Sequence, residues 1–344
     1  MPKFLLKSLY TFEKSIFLLK KNNFIVKSEF SKKERIQSME KIVKNETIKR
    51  EACGEHWFTE YRTGRAAAFS LKVVRHLHTV EGDLQRVDVF DTKEFGRVLT
   101  LDGLIMVTER DEYMYHEMLV HVPMFSHPCP KRVLIIGGGD GGSLREVLKH
   151  PTVEEVVLVE IDSNVISASK EFLPFCSSGM NDPRSKITIG EGGLYVKEHP
   201  DSFDVIIIDS TDPTKGAGGL LFTEEFYNNC RKALKSGGTM SAETENFFYD
   251  ENHWEMAFKR ISNVFNVAVP YWGLMTSYPS GWWTYTLAGE NLDPRKDFRK
   301  TDAEKMSANL KYYNPDIHMA SFALPNNMKK KVEEIKNSLN KKRK

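Results

Sequence analysis

The sequence is short of cysteine, of long apolar runs and of charge of one sign. Its four cysteines, Cys53, Cys129, Cys176 and Cys230, stand far apart with no CxxC pair. That excludes a disulfide framework and a zinc site of ordinary spacing, and reads as reduced thiols in a cytoplasmic protein. The apolar pieces near the start, FLLKSLY and SIFLLKKNNFIV, are interrupted by lysine or glutamate every few residues. None approaches the length of a membrane span, and no small-residue cleavage site follows them, which argues against a secretory signal. The formal net charge is only +2, with lysine concentrated before Ala52 and a mildly acidic remainder. A basic segment without aromatic interleaving gives little support to nucleic-acid binding. Repeats and low-complexity tracts are missing as well, apart from a basic stretch after Lys329 that reads as a solvated tail.

Four regions are expected. Residues 1–48 form a basic extension, read as poorly ordered or helical only when docked, with Met39 as the true start. A lysine-rich transit peptide is the alternative, and Glu13, Glu29 and Glu34 count against it. Residues 49–125 form a small antiparallel β domain, through LQRVDVF, RVLTLDG and LIMVT with tight turns between them, followed by a helix over ERDEYMYHEMLVHVPMF. Residues 126–330 form an α/β domain entered through HPCPKR, and residues 331–344 a basic tail.

The second domain is organised around RVLIIGGGDGG and the SLREVLKH that follows. Residues 133–136 are an apolar, β-branched run suited to a central parallel strand, three glycines stop it, and helical spacing resumes at Leu144, Val147 and Leu148. A second strand ends on Glu160 about twenty residues after the turn, where a doubly wound sheet places the carboxylate that grips a ribose. Further strands are expected at residues 187–189, 205–208 and 239–241, and helices at 163–172, 223–235 and 253–264. The fold class is therefore α/β, a mostly parallel sheet covered on both faces. Ligands gather outside the carboxyl ends of such strands, and those ends carry Asp140, Glu160, Glu191 and Asp209. Asp140 inside the glycine turn would repel a pyrophosphate and suits a cationic nucleoside. The bland alternative is a glycine turn used for packing alone, and the glycine run by itself leaves the two even.

IIIDSTDP, residues 206–213, delivers Asp209 from a buried strand and Asp212 just beyond it. Carboxylates so close repel one another unless a cation lies between them. A metal is the first suspect, but no companion histidines accompany the carboxylates, and an organic polycation fits their spread better. The loop that follows, with KGAGG, reads as a mobile cover over the site.

Together GGGDGG, VEID, DSTDP, DEYMYHEM, YPSG and LKYYNPDIHMASFALP resemble the spermidine synthase family of polyamine aminopropyltransferases, over roughly residues 57–325. Through DSTDPT, the SAETE block and the tryptophans after YPSG the sequence looks most like the thermophilic bacterial branch. The resemblance implies an N-terminal β domain on a Rossmann-like methyltransferase domain and a homodimer or homotetramer. It also implies decarboxylated S-adenosylmethionine as co-substrate and no metal. Carried onto this sequence, the family's donor site falls on Gln85, His116, Asp140, Glu160, Glu191 and Asp209, with Asp140 on the ammonium of the aminopropyl arm. The amine site falls on Glu60, Tyr115, Asp209, Asp212, Glu245 and Tyr278, to which Glu243 and Trp283 are added here. Members usually have Asp at the position of Glu191 and Gln at that of Glu243. Their WPGQ tryptophan is missing, since residues 63–66 read TGRA, and Trp283 is expected to supply that wall.

The expected reaction moves an aminopropyl group to putrescine, giving spermidine and methylthioadenosine, with Asp209 as base. Agmatine or a longer diamine is the alternative acceptor. Two further readings stay open, an ordinary S-adenosylmethionine methyltransferase, which Asp140 disfavours by repelling that cofactor's carboxylate, and a silent polyamine-binding protein.

Overall fold

Alternation along the strands decides how the chain is layered. In the computed structural model, which describes residues 48–50, 56–61, 67–210 and 221–343, Val133 and Ile135 belong to one apolar cluster and Leu134 and Ile136 to another. Val205 and Ile207 divide from Ile206 and Ile208 in the same way. A strand with both faces apolar must be covered on both, and here it is.

The first sheet is built from β1 (Ile48–Arg50), β2 (His56–Tyr61), β3 (Ala68–Glu81), β4 (Arg86–Thr92), β5 (Gly96–Leu101) and β6 (Leu104–Thr108), paired in sequence order and antiparallel throughout. After it come α1 (Glu112–Ser126), β7 (Arg132–Gly137), α2 (Gly142–Leu148), β8 (Glu155–Glu160), α3 (Ser163–Phe172), α4 (Pro174–Ser177), β9 (Ser185–Ile189) and α5 (Gly192–Glu198). The chain continues through β10 (Phe203–Asp209), α6 (Glu224–Ala233), β11 (Leu234–Glu243), α7 (Glu251–Val264), β12 (Val267–Leu274) and β13 (Trp282–Gly289). It closes with α8 (Lys300–Ser307), α9 (Pro315–Ser321) and α10 (Asn326–Arg343).

The second sheet has the order β12-β13-β11-β10-β7-β8-β9. From β11 to β9 it is parallel, and β13 pairs antiparallel with both β11 and β12. Strand order reverses between β7 and β10, so the crevice at their carboxyl ends is the topological switch point where such sheets bind ligands. The register there sets Asp209 opposite Gly137. The expected fold class, an α/β Rossmann-like domain with a small antiparallel β domain, is borne out.

Some elements differ from expectation. α1 was grouped with the first sheet, yet its buried residues from Tyr115 to Phe125 share a cluster with Val133, Ile135, Val205 and Ile207 of the second. The helix is apolar on most sides because it is covered on most sides. The helix expected to run to Lys235 stops at Ala233, and β11 starts at Leu234. The stretch read as a solvated basic tail is the 18-residue α10, which buries Met328, Ile335 and Leu339 in the same cluster as α6 and α7. Residues 1–47, the TGRA segment and residues 211–220, with Asp212 and most of the expected cover, lie outside the described residues. Among the described residues no helix is long and apolar enough to cross a membrane.

Candidate active site

A cavity of about 390 Å³ opens at the switch point, lined by Gln85, Tyr115, His116, Asp140, Glu160, Glu191, Asp209 and Tyr278. Its size suits a small organic ligand. All four carboxylates at the strand ends therefore face one space. Gln85 reaches it from the turn after β3, where its amide donates to Asp162 Oδ2 at 3.0 Å.

Asp209 ends β10, and the chain beside it has to be glycine. Gly137 has φ of +80°, and a Cβ there would stand 2.1 Å from the Asp209 carbonyl oxygen. The amide of Gly138 donates to that carbonyl at 2.7 Å, so the glycine turn is fastened to the strand carrying the carboxylate. Each Asp209 oxygen has its own donor, Tyr115 Oη to Oδ1 at 2.9 Å and Ser143 Oγ to Oδ2 at 2.6 Å. Burial, and next the neighbouring Asp140, push the Asp209 carboxyl above the usual range, while His116, Ser143 and Tyr115 partly offset this. Tyr115 is held far above an ordinary phenol by burial and by Asp209, so it stays a donor.

Asp140 shifts the other way. Burial works against its charge, but His116, the Gly142 amide and Arg145 outweigh it and hold the carboxyl below the usual range. His116 Nε2 stands 3.3 Å from Asp140 Oδ1, and the Gly142 amide donates to the same oxygen at 2.7 Å. Glu160 accepts from the Asp162 amide at 2.9 Å, yet burial dominates and lifts its carboxyl to about 7.

Glu60, Glu243, Glu245 and Trp283 were expected on the amine wall and are not among the residues lining the cavity. Glu60 is buried and accepts from the Ile105 amide at 2.8 Å. Glu243 is buried too and accepts from the Glu245 amide at 3.1 Å. Trp283 sits edge-on against Tyr278, with ring centroids 4.7 Å apart, so it braces the tyrosine that does face the cavity.

A cation is not called for to balance the deeper cluster. Glu112, His116 and Cys176 bring ligand-type atoms within 4.8 Å of one another, but the Arg145 guanidinium already grips both Glu112 oxygens at 2.9 and 2.8 Å.

Residues 112–300 match the family model described as the spermine/spermidine synthase domain. A Thermotoga petrophila polyamine aminopropyltransferase is 54% identical over 276 residues, covering 80% of this chain and 93% of the relative. The chain belongs to the spermidine synthase family. Residues 56–109 match the spermidine synthase tetramerisation domain. A polyamine aminopropyltransferase of Shouchella clausii is 42% identical over 272 residues, 79% of this chain and 97% of its own. A crystal structure of spermidine synthase in complex with the transition-state analogue AdoDATO superposes with a TM-score of 0.79 at 53% identity, covering 81% of this chain and 95% of that one. That of the Thermotoga maritima spermidine synthase superposes at 0.76 with 50% identity and the same coverage.

The spermidine synthase motif DEYMYHEM can be resolved into separate tasks. Asp111 accepts from Thr108 Oγ1, Thr276 Oγ1 and the amide and hydroxyl of Ser277, which fastens the segment leading to Tyr278. Glu117 accepts the amides of Lys311, Tyr312 and Tyr313 at 2.7 to 2.9 Å, tying this motif to LKYYNP. Tyr115 and His116 between them face the two aspartates. Asp111, Glu112, Glu117, Ser143 and Arg145 were missed in the sequence. The one available signal was the Glu112–His116 spacing of four on a helix.

Proposed function

We propose that the protein transfers the aminopropyl group of decarboxylated S-adenosylmethionine to putrescine, forming spermidine and methylthioadenosine. The observation that carries this is the aspartate pair at the switch point. His116, Asp140 and Asp209 bring atoms within 4.8 Å of one another, and the two carboxyls are shifted in opposite directions. Such a split suits one group that holds a cation and one that takes a proton. Membership of the spermidine synthase family supports the same assignment.

In this reading Glu160 takes the ribose hydroxyls, Glu191 lies by the adenine and Asp140 holds the ammonium of the aminopropyl arm. The acceptor must arrive neutral at its attacking end. A primary alkyl amine has a pKa near ~10.4, so removing its proton at pH 7 costs about 4 to 5 kcal/mol. The donor's sulfonium disfavours a second positive charge beside it, and Asp209 accepts the proton. The amine lone pair then attacks the arm's terminal S-bound methylene. The C–S electron pair leaves with sulfur, which becomes a neutral thioether. Tyr115 and Tyr278 line the methylenes, and Asp212 belongs to the same amine subsite by sequence.

The same chemistry on agmatine or a longer diamine is the second reading, favoured by the buried carboxylates Glu60, Glu243 and Glu245 close to the wall. An S-adenosylmethionine methyltransferase is disfavoured because Asp140 would face that cofactor's carboxylate. The match to a tetramerisation domain supports a homodimer or homotetramer. The deciding assay incubates the purified protein with decarboxylated or ordinary S-adenosylmethionine and with putrescine, cadaverine, agmatine or spermidine. Methylthioadenosine plus spermidine, formed fastest from putrescine and the decarboxylated donor, is the expected result. Methyl transfer, or no product with any pair, would overturn the proposal.

A further inference from the structure

His116 is neither reactant nor base in the proposed reaction, yet both of its ring nitrogens face carboxylates. Its Nδ1 lies 2.7 Å from Glu112 Oε2 and its Nε2 lies 3.3 Å from Asp140 Oδ1. Carboxylates only accept, so a ring flanked by two of them carries a proton on each nitrogen. The other way to satisfy this geometry is to protonate a carboxylate, and the surroundings oppose it on both sides. Glu112 is clamped by both terminal nitrogens of Arg145, and Asp140 Oδ1 receives the Gly142 amide. Arg145 is fixed in turn by Glu146 Oε1 at 2.8 Å and by the Phe175 carbonyl. The result is a buried row of alternating charge, Asp140, His116, Glu112, Arg145 and Glu146.

The backbone is shaped to admit the ring. A Cβ at Gly142 would stand 2.2 Å from His116 Cε1, so the first turn of α2 can lie against the imidazole only as glycine. The titratable and charged groups around the ring can be taken element by element. Glu112 and the Tyr115 ring face it from α1, Asp140 from the glycine turn, Arg145 from α2, Cys176 from α4 and Asp209 from β10. Three are carboxylates and one is a guanidinium, an excess that favours an imidazolium. Burial works against the charge on His116, and Asp140 and Glu112 outweigh it, so the imidazole is held protonated well above its usual range.

This arrangement answers a problem in the proposed mechanism. Asp140 and Asp209 must both be ionised before the amine loses its proton, and two buried carboxylates so close resist this unless a cation lies between them. We propose that Glu112 and Arg145 are positioning residues that keep His116 as a fixed imidazolium beside Asp140, and that this cation is what leaves Asp209 ionised and able to take the amine's proton.

The inference rests on Asp209 being the base, and the tests separate the two. The primary measurement is the pH dependence of kcat/KM for the amine in wild type and Glu112→Gln. Removing the carboxylate takes away one of the two groups that hold His116 protonated, so the imidazolium is lost at lower pH than in wild type and Asp209 is protonated over a wider range. The acid limb is expected to move up by about one pH unit, so the loss approaches about tenfold on the acid side of the limb and disappears on the plateau above it. Arg145→Lys, which keeps a cation against Glu112, is expected to shift the limb less than Arg145→Gln does. A purely structural role would lower the profile by one factor at every pH, and that outcome overturns the proposal. The second measurement needs no folded variant at position 112. Ring 15N shifts of His116 in the wild-type protein, assigned by their loss in His116→Asn, should remain those of an imidazolium from pH 6 to 8.5. A neutral ring at pH 7 overturns the proposal directly. Near-normal turnover in Asp209→Asn would instead remove the base assignment, while the ring measurement would still report on His116.

Discussion

Tyr115 donates to Asp209 across 94 residues of sequence, at 2.9 Å, and Ser143 takes the other oxygen of the same carboxylate. The carboxylate is thereby aimed by one donor from α1 and one from the first turn of α2, while its backbone is tied to the glycine run. A proton acceptor held in this way needs little reorganisation when the amine arrives. Asp209→Asn keeps the shape and removes the acceptor, so turnover should fall by ~100-fold or more at unchanged fold. Tyr115→Phe leaves the acceptor in place with one donor fewer, and a loss of about tenfold is expected. Steady-state rates for both variants, alongside their circular dichroism, check this. Turnover near wild type in the asparagine variant would remove Asp209 from the base role.

Asp140 should act as the selector between donors. The decarboxylated donor presents only an ammonium at the end of its arm, whereas S-adenosylmethionine adds a carboxylate, so one is attracted and the other repelled by Asp140. In Asp140→Asn both effects fade. Calorimetry should show weaker binding of the decarboxylated donor and a ratio of the two affinities at least ~10-fold smaller. An unchanged ratio would mean that the charge does not choose.

The parts of the site legible in the sequence were those whose signals are local. An apolar β-branched run, a glycine turn and a carboxylate at a strand end are each readable within a few residues, and Asp140, Glu160, Glu191 and Asp209 do share one cavity. The missed parts depend on packing between distant segments. Arg145 meets Glu112 from 33 residues away, and nothing near either residue announces it. Glu60, Glu243, Glu245 and Trp283 lie in the expected segments and are buried but do not line the cavity, and Trp283 packs against the Tyr278 ring that does. α10 was hidden for another reason. Its lysines dominate the composition, yet Met328, Val332, Ile335 and Leu339 recur at intervals of four, three and four, the spacing of a helix that packs along one face. On β12 Pro270 sits in an edge strand, where a missing amide costs least.

Glu160 gives the site a pH dependence of its own. Burial raises its carboxyl from 4.5 to about 7. The ribose hydroxyls would donate to the ionised form, so binding of the uncharged product methylthioadenosine should weaken by about tenfold per pH unit below pH 7. Stability runs the other way. A raised folded-state pKa means that stability present at low pH is lost as pH climbs from the unfolded value of 4.5 through about 7. Glu160→Gln removes that penalty, so the empty variant should be more stable than wild type at pH 8, by up to about 3 kcal/mol, while binding methylthioadenosine more weakly and without the acid limb. Denaturant titrations at pH 5 and pH 8 and calorimetry across the range test both halves. A pH-independent wild-type affinity would contradict the argument.

Glu117 stands next to His116 in sequence but serves the fold. Its side chain is buried, and its two oxygens collect the consecutive amides of Lys311, Tyr312 and Tyr313. Those amides would otherwise be left without acceptors as the chain turns before α9, and a carboxylate accepting them makes stronger bonds than a neutral group. The same segment places Tyr312 Oη where it accepts from the Leu274 amide at 3.1 Å, and Tyr313 against Phe125 with stacked rings. Glu117→Gln keeps the volume but turns an NH2 group toward at least one backbone N–H, leaving a donor facing a donor. The expected cost is about 1.5 to 3 kcal/mol, read as a fall of roughly 5 °C in Tm. Because the carboxylate does not line the cavity, kcat per folded molecule should stay within about threefold of wild type. A variant with an unchanged Tm and a collapsed kcat would place Glu117 in the chemistry instead, and would make the whole of DEYMYHEM part of the active site.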